Sequence, residues 1–102
     1  MRIYISGPIT GATDYMERFA AAEEKLTNSG YVCVNPAKVN AGLPEDTTHE
    51  EYMRISICMM QMCEAIYVLE GWQNSEGCTE EITTAIHREM MIIFEKGRVG
   101  FA

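Results

Sequence analysis

Basic residues are scarce in this chain: eight Lys and Arg face fifteen Asp and Glu, leaving a formal charge of −7. Each phosphate of a nucleic-acid backbone that is neutralised requires a Lys or Arg, so this balance argues against long nucleic acid as a partner. A small phosphorylated ligand stays compatible, because backbone N–H groups at a helix start can hold a phosphate without net positive charge. Long apolar runs are also missing. No window approaches the roughly 18 uncharged apolar residues a membrane helix needs, and the MRIYISGP start holds no apolar stretch of signal-peptide length. The four cysteines, Cys33, Cys58, Cys63 and Cys78, form no C-x-x-C pair and no zinc or haem spacing. They read as free buried thiols, and the expected setting is a reducing cytosol with no membrane partner. Internal repeats, linkers and low-complexity segments are absent too.

What is present suffices for one domain. A chain of 102 residues that is 47% hydrophobic can bury a core without disulfides or a structural metal. Residues 2–6 are a β-branched and aromatic run halted by Gly7 and Pro8, a first strand that ends in a tight turn. Asp14 and Glu17 have capping-box spacing ahead of a helix over 15–29 with Phe19, Ala22 and Leu26 on one face. Residues 31–34 supply a second strand, and a polar loop follows Asn35 and Pro36. Thr48 and Glu51 repeat the capping box before a helix carrying Tyr52, Ile55, Met59, Met60 and Met62. Residues 65–69 are a continuous apolar run, as a parallel strand covered on both faces requires. A third helix near 79–89 and a last strand over 90–94 complete the pattern, and the tail from Gly97 is expected to order only against a neighbour.

Strands alternating with helices predict an α/β fold: a small Rossmann-like or flavodoxin-like three-layer domain, residues 1–102, with a parallel sheet in the order 2-1-3-4. Such a sheet reverses direction between its first and third strands. Ligands bind beyond the carboxyl ends of the strands at that point, which here brings together loops 6–13 and 70–78. The second loop runs into Glu80 and Glu81, expected in the first turn of a helix, where the dipole favours a carboxylate anion. Adjacent residues point roughly 100° apart on a helix, so only one of the two is expected to face a ligand. Taken alone, such a pair more often stabilises a helix than performs chemistry.

Five segments together carry a resemblance: IYISGPITG at 3–11, NPA at 35–37, HEEYMR at 49–54, CEAIYVLEGW at 63–72, and S-x-G-x-x-x-E from Ser75 to Glu81. In this order and spacing the chain resembles the compact branch of the nucleoside 2-deoxyribosyltransferase-like family over all but its last few residues. The resemblance implies that Glu81 is a nucleophile attacking C1′ of a nucleoside or nucleoside 5′-monophosphate and releasing the base. It further implies that Ser75 and Gly77 hold the sugar or phosphate, that Ser6, Gly7, Pro8 and Ile9 line the base pocket, and that neither metal nor organic cofactor takes part. A homodimer or higher homo-oligomer is implied as well. An oxocarbenium-like transition state is stabilised by a nearby carboxylate, which fits that chemistry.

The chain departs from the family at one position of consequence. An Asp is usual two residues beyond the equivalent of Arg54 and eight before the equivalent of Glu64; here Ser56 stands there. A serine cannot act as an acid near neutral pH. At the strand start Glu64 replaces an Asp and keeps the charge. Three function classes therefore remain: an N-glycosidase or deoxyribosyltransferase, a non-catalytic nucleotide-binding module of the same shape, and an interaction protein whose loops contact another chain. Among weaker signals, His49 reads as an exposed first-turn residue, His87 as part of a solvated face, and Tyr15 as packing. Trp72 reads equally as a stacking group, a lid or a subunit contact. Met53, Met59, Met60, Met62, Met90 and Met91 read as core and interface filler, and Cys78 sits at a helix start with no paired His or Cys in sequence.

Overall fold

The computed structural model describes residues 1–9, 11–96 and 98–100, the last three by backbone path. Its elements are β1 (Arg2–Ser6), α1 (Tyr15–Asn28), β2 (Val32–Val34), α2 (Pro36–Asn40), α3 (His49–Met60), β3 (Ala65–Val68), a single 3-10 turn (Trp72–Asn74), α4 (Glu76–His87), β4 (Met91–Phe94) and β5 (Arg98–Gly100). The sheet order is β2-β1-β3-β4-β5. The first four strands pair in parallel, in the expected 2-1-3-4 order, and β5 adds an antiparallel edge strand through Ile93↔Val99 and its neighbours. The segment 98–100 thus orders against β4 of its own chain, where a neighbouring molecule was expected; Gly97, Phe101 and Ala102 lie outside the described residues.

Period-two alternation along the central strands builds a three-layer sandwich. Ile3, Ile5, Ala65, Tyr67 and Leu69 face Phe19, Ala22 and Leu26 of α1 and Ala37 of α2. Tyr4, Ile66, Val68 and Ile92 face Met59 and Met60 of α3 and Ala85 of α4. Helices on both faces explain why β3 is buried at every position. Among the described residues no helix is long and apolar enough to cross a membrane.

Several local expectations are corrected. Thr48 forms the full capping box with Glu51, but Asp14 makes no side-chain cap bond: its backbone, at φ −112° and ψ 18°, is not the extended N-cap conformation that aims a side chain at the first turn. The sequence after Asn35 and Pro36 has the look of a loop, yet Asn35 accepts from the Ala37 N–H at 3.0 Å and starts α2, with Pro36 in its first turn. Met62 lies beyond the end of α3 and is exposed, as is Met91. Of the four free cysteines only Cys78 is buried, and Cys58 is exposed.

The largest correction concerns α4, which starts three residues earlier than expected. Ser75 is its N-cap and accepts from the Cys78 N–H at 3.2 Å. Glu81 consequently belongs to the second turn, where the dipole of the helix start acts weakly. Two glycines matter to the loops above it. Gly71 has φ 90°, a left-handed conformation that opens the 3-10 turn. Gly7 abuts the core so closely that a Cβ there would lie 2.6 Å from Leu69 Cδ1 and 3.0 Å from Phe19 Cζ.

Candidate functional site

β1 and β3 both end at the switch point, and their carboxyl ends open into a cavity of about 250 Å³. This lies just below the roughly 300–1,000 Å³ usual for ligand pockets, a size for a small ligand. Its floor is Glu81. The helical offset between neighbours turns Glu81 inward, 7% exposed, and sends Glu80 outward to His49, so one carboxylate of the pair faces the cavity as expected.

Two hydroxyls from one strand hold the Glu81 carboxyl. Tyr4 Oη donates to Oε2 at 2.5 Å and Ser6 Oγ donates to Oε1 at 2.6 Å, both from wholly buried side chains. Tyr4 and Ser6 are two residues apart on β1 and share a face, which is why both reach the same group. Burial pushes the Glu81 carboxyl above the usual 4.5, against the hydroxyls of Ser6, Tyr4 and Ser56, which favour the anion. The first-turn position expected for Glu81 would have favoured the anion, so the direction here is opposite, and desolvation is the reason. Tyr4 is itself held well above 10.0, first by burial and then by the neighbouring Glu81 charge, so it remains a donor. Burial likewise raises the Cys78 thiol, although it sits at a helix start, where a thiolate is favoured.

The remaining walls come from the loop after β1 and from all four helices. Gly7 and Ile9 follow β1; Tyr15 opens α1; Asn40 closes α2; His49, Tyr52, Met53 and Ser56 lie on α3; Ser75, Gly77 and Cys78 start α4. Of the expected site residues, Glu81, Gly7, Ile9, Ser56, Ser75 and Gly77 therefore line one cavity, with Ser6 directly behind the carboxyl. Pro8 sits outside that lining and packs towards Gly71.

Glu64 and Trp72 are not brought to the site. Glu64 precedes β3 at the opposite end of the sheet, where its carboxylate accepts from the Arg2 N–H at 3.2 Å. Trp72 packs against Phe94 at 5.6 Å between ring centroids and lines a separate groove with Gln73 and Lys96. His49 and Tyr15, read as an exposed residue and a packing residue, both line the cavity. Tyr4 and Asn40 carry no functional signal of their own in the sequence, yet Tyr4 holds the Glu81 carboxyl and Asn40 lines the cavity. Tyr4 was legible in principle from its parity with Ser6; Asn40 was hidden because its segment read as loop.

Among the described residues one group could share a cation: His49, Glu76 and Glu80 are exposed, and one ligand atom from each lies within 4.8 Å of the others. His49 Nε2 and Glu80 Oε2 are 2.7 Å apart, an ion pair whenever the ring is protonated.

Residues 1–94 match the family described as Domain of unknown function (DUF4406). The chain belongs to the DUF4406 family. The DUF4406 match spans β1 to β4 and so includes every described residue of the cavity. No curated protein matches this DUF4406 chain.

Proposed function

We propose that the chain cleaves the N-glycosidic bond of a nucleoside or nucleoside 5′-monophosphate. The Glu81 carboxylate attacks C1′, a C1′–O bond forms as the C1′–N bond breaks, and the bond's electron pair leaves with the base, which takes up a proton. Water or a second base then displaces the carboxylate, the first outcome being hydrolysis and the second deoxyribosyl transfer. The observation that carries this reading is the buried Glu81 carboxyl at the floor of a cavity, oriented by Tyr4 and Ser6. A fixed, desolvated carboxylate is what an oxocarbenium-like state requires. The sequence resemblance assigns the same residue to the same role. Ile9, Tyr15 and Tyr52 supply apolar and aromatic wall for a base, while Ser75 and Gly77 supply polar wall for the sugar side.

The test is incubation with a panel of nucleosides and 5′-monophosphates, followed by chromatography for free base. Release is expected, and none at high enzyme concentration removes the proposal. Ser56 favours a second reading, a binding module without turnover, because it lines the cavity where an acid would protonate the leaving base. Thermal stabilisation without base release would support that second reading; a ligand at 100 times its Kd adds roughly 2.7 kcal/mol.

A further inference from the structure

A phosphate group requires cationic side chains or a cluster of free N–H donors, and the cavity's walls offer little of either. No Lys or Arg is among the described lining residues. Three of the cations elsewhere are engaged: Arg18 donates to the Glu70 carbonyl at 2.6 Å and lies 3.7 Å from Glu95, Lys38 pairs with Glu23 at 2.9 Å, and Arg54 with Glu50 at 2.6 Å. The start of α4 is the one helix start whose first-turn residues Gly77 and Cys78 line the cavity together with their cap, Ser75. Ser75 already accepts from Cys78 N–H, which leaves the N–H groups of Glu76 and Gly77 facing outward from the helix start.

The carboxylates beside that wall, Glu76 and Glu80, are exposed and stand outside the cavity lining, and their charge opposes an anion approaching it. A Cβ on Gly77 would stand 3.9 Å from His49 Cε1 and 4.0 Å from Ser75 Oγ, so the imidazole overhangs the same spot. His49 is bound to Glu80, and Glu76 completes their cluster. Two carboxylates thus oppose an imidazole of at most one positive charge and a helix start of about +0.5, with Glu81 adding its own charge when ionised. Asn40 is also among the lining residues, and its buried Oδ1 has no hydrogen-bond partner, an acceptor that offers an anion nothing.

We infer that the cavity selects an uncharged nucleoside over its 5′-monophosphate, with Glu76 and Glu80 excluding the phosphate at the start of α4; this rests on the N-glycosidase reading. The test compares base release from one 2′-deoxynucleoside and its own 5′-monophosphate, in EDTA and again in Mg²⁺, because the His49, Glu76 and Glu80 ligand atoms could share that cation. The expected kcat/KM is at least about tenfold higher for the nucleoside in both conditions. A Glu76→Gln/Glu80→Gln double variant should narrow the ratio by raising turnover of the monophosphate. Equal or preferred cleavage of the monophosphate in either condition, or a ratio unmoved in the double variant, overturns the inference. If neither substrate yields base, the glycosidase reading fails, and thermal shift with the same pair then decides: stabilisation by the nucleoside alone upholds charge selection, while equal or absent stabilisation overturns it.

Discussion

Tyr4 and Glu81, seventy-seven residues apart in sequence, meet in a buried 2.5 Å hydrogen bond that joins β1 to the second turn of α4. The phenol donates, and the donated proton favours the ionised carboxyl against the burial that raises its pKa. Tyr4→Phe removes that donor and leaves the ring in place. The expected result is a loss of about 1–3 kcal/mol in stability and an acid limb of the kcat/KM profile moved to higher pH, because more base is then needed to ionise Glu81. A pH–rate profile of both proteins checks this; coincident limbs would show that Tyr4 does not tune the nucleophile.

Glu81→Gln separates chemistry from folding. Loss of base release by about 10³-fold or more is expected, since the amide cannot form the glycosyl bond. Stability should respond to pH in the opposite sense from a salt-bridged carboxylate. The folded pKa of Glu81 lies above its ordinary 4.5, so the unfolded chain gives up this proton more readily. Below about that ordinary value both states hold the proton and the group contributes nothing to pH dependence. As pH rises through the folded value the native protein must carry a buried charge, at about 1.4 kcal/mol for every tenfold difference in proton affinity. The wild type should therefore lose stability relative to Glu81→Gln between acid and neutral pH. Urea denaturation at both ends measures it, and a constant difference would contradict the raised pKa.

Two capping signals of the same form have different outcomes. The Thr48 hydroxyl accepts from the Glu51 N–H at 3.1 Å while Glu51 accepts from the Thr48 N–H at 2.9 Å. Asp14 makes neither bond. Thr48→Ala should cost about 1 kcal/mol, and Asp14→Ala only a few tenths, compared by thermal or chemical denaturation. An equal cost for both would mean that the Asp14 side chain has a stabilising role its geometry does not show.

These two caps also show where the sequence is legible and where it is not. Strand order followed from local pattern because each parallel strand is a short apolar run and right-handed crossovers leave few arrangements. That only one of the adjacent Glu80 and Glu81 faces inward is legible from helix geometry, and the choice of Glu81 rests on the family resemblance. The start of α4 is not legible, because Gly77 and the polar residues around it read as loop while Ser75, the cap, is equally at home in a turn. That error carried the sign of the Glu81 pKa with it. Glu64 is a candidate only through the family resemblance, as the residue in place of an Asp at the strand start, and the register that sets it beside Arg2, at the far end of the sheet from Ser6, exists only once β1 and β3 are paired. β5 was missed for the same reason: three residues with no periodic signal become a strand only because β4 offers an open edge.

Ser56 is where the proposal is most open to direct manipulation. It is 5% exposed, lines the cavity, and its hydroxyl favours the Glu81 anion. Ser56→Asp would set a second carboxyl beside the first with little water to separate them. Two such groups cannot both ionise cheaply, so one of them keeps a proton near neutral pH. That proton is what the leaving base lacks in the natural sequence, and general acid assistance contributes about 10²–10⁴-fold where geometry allows. The expected outcome is base release raised at least about tenfold, with an optimum that falls away at high pH as the shared proton is lost. The added burial of a polar group should lower stability by about 1–3 kcal/mol, which denaturation reads independently. Unchanged release in a folded Ser56→Asp protein would mean that protonation of the base does not limit turnover, leaving attack by Glu81 or product release as the slow step.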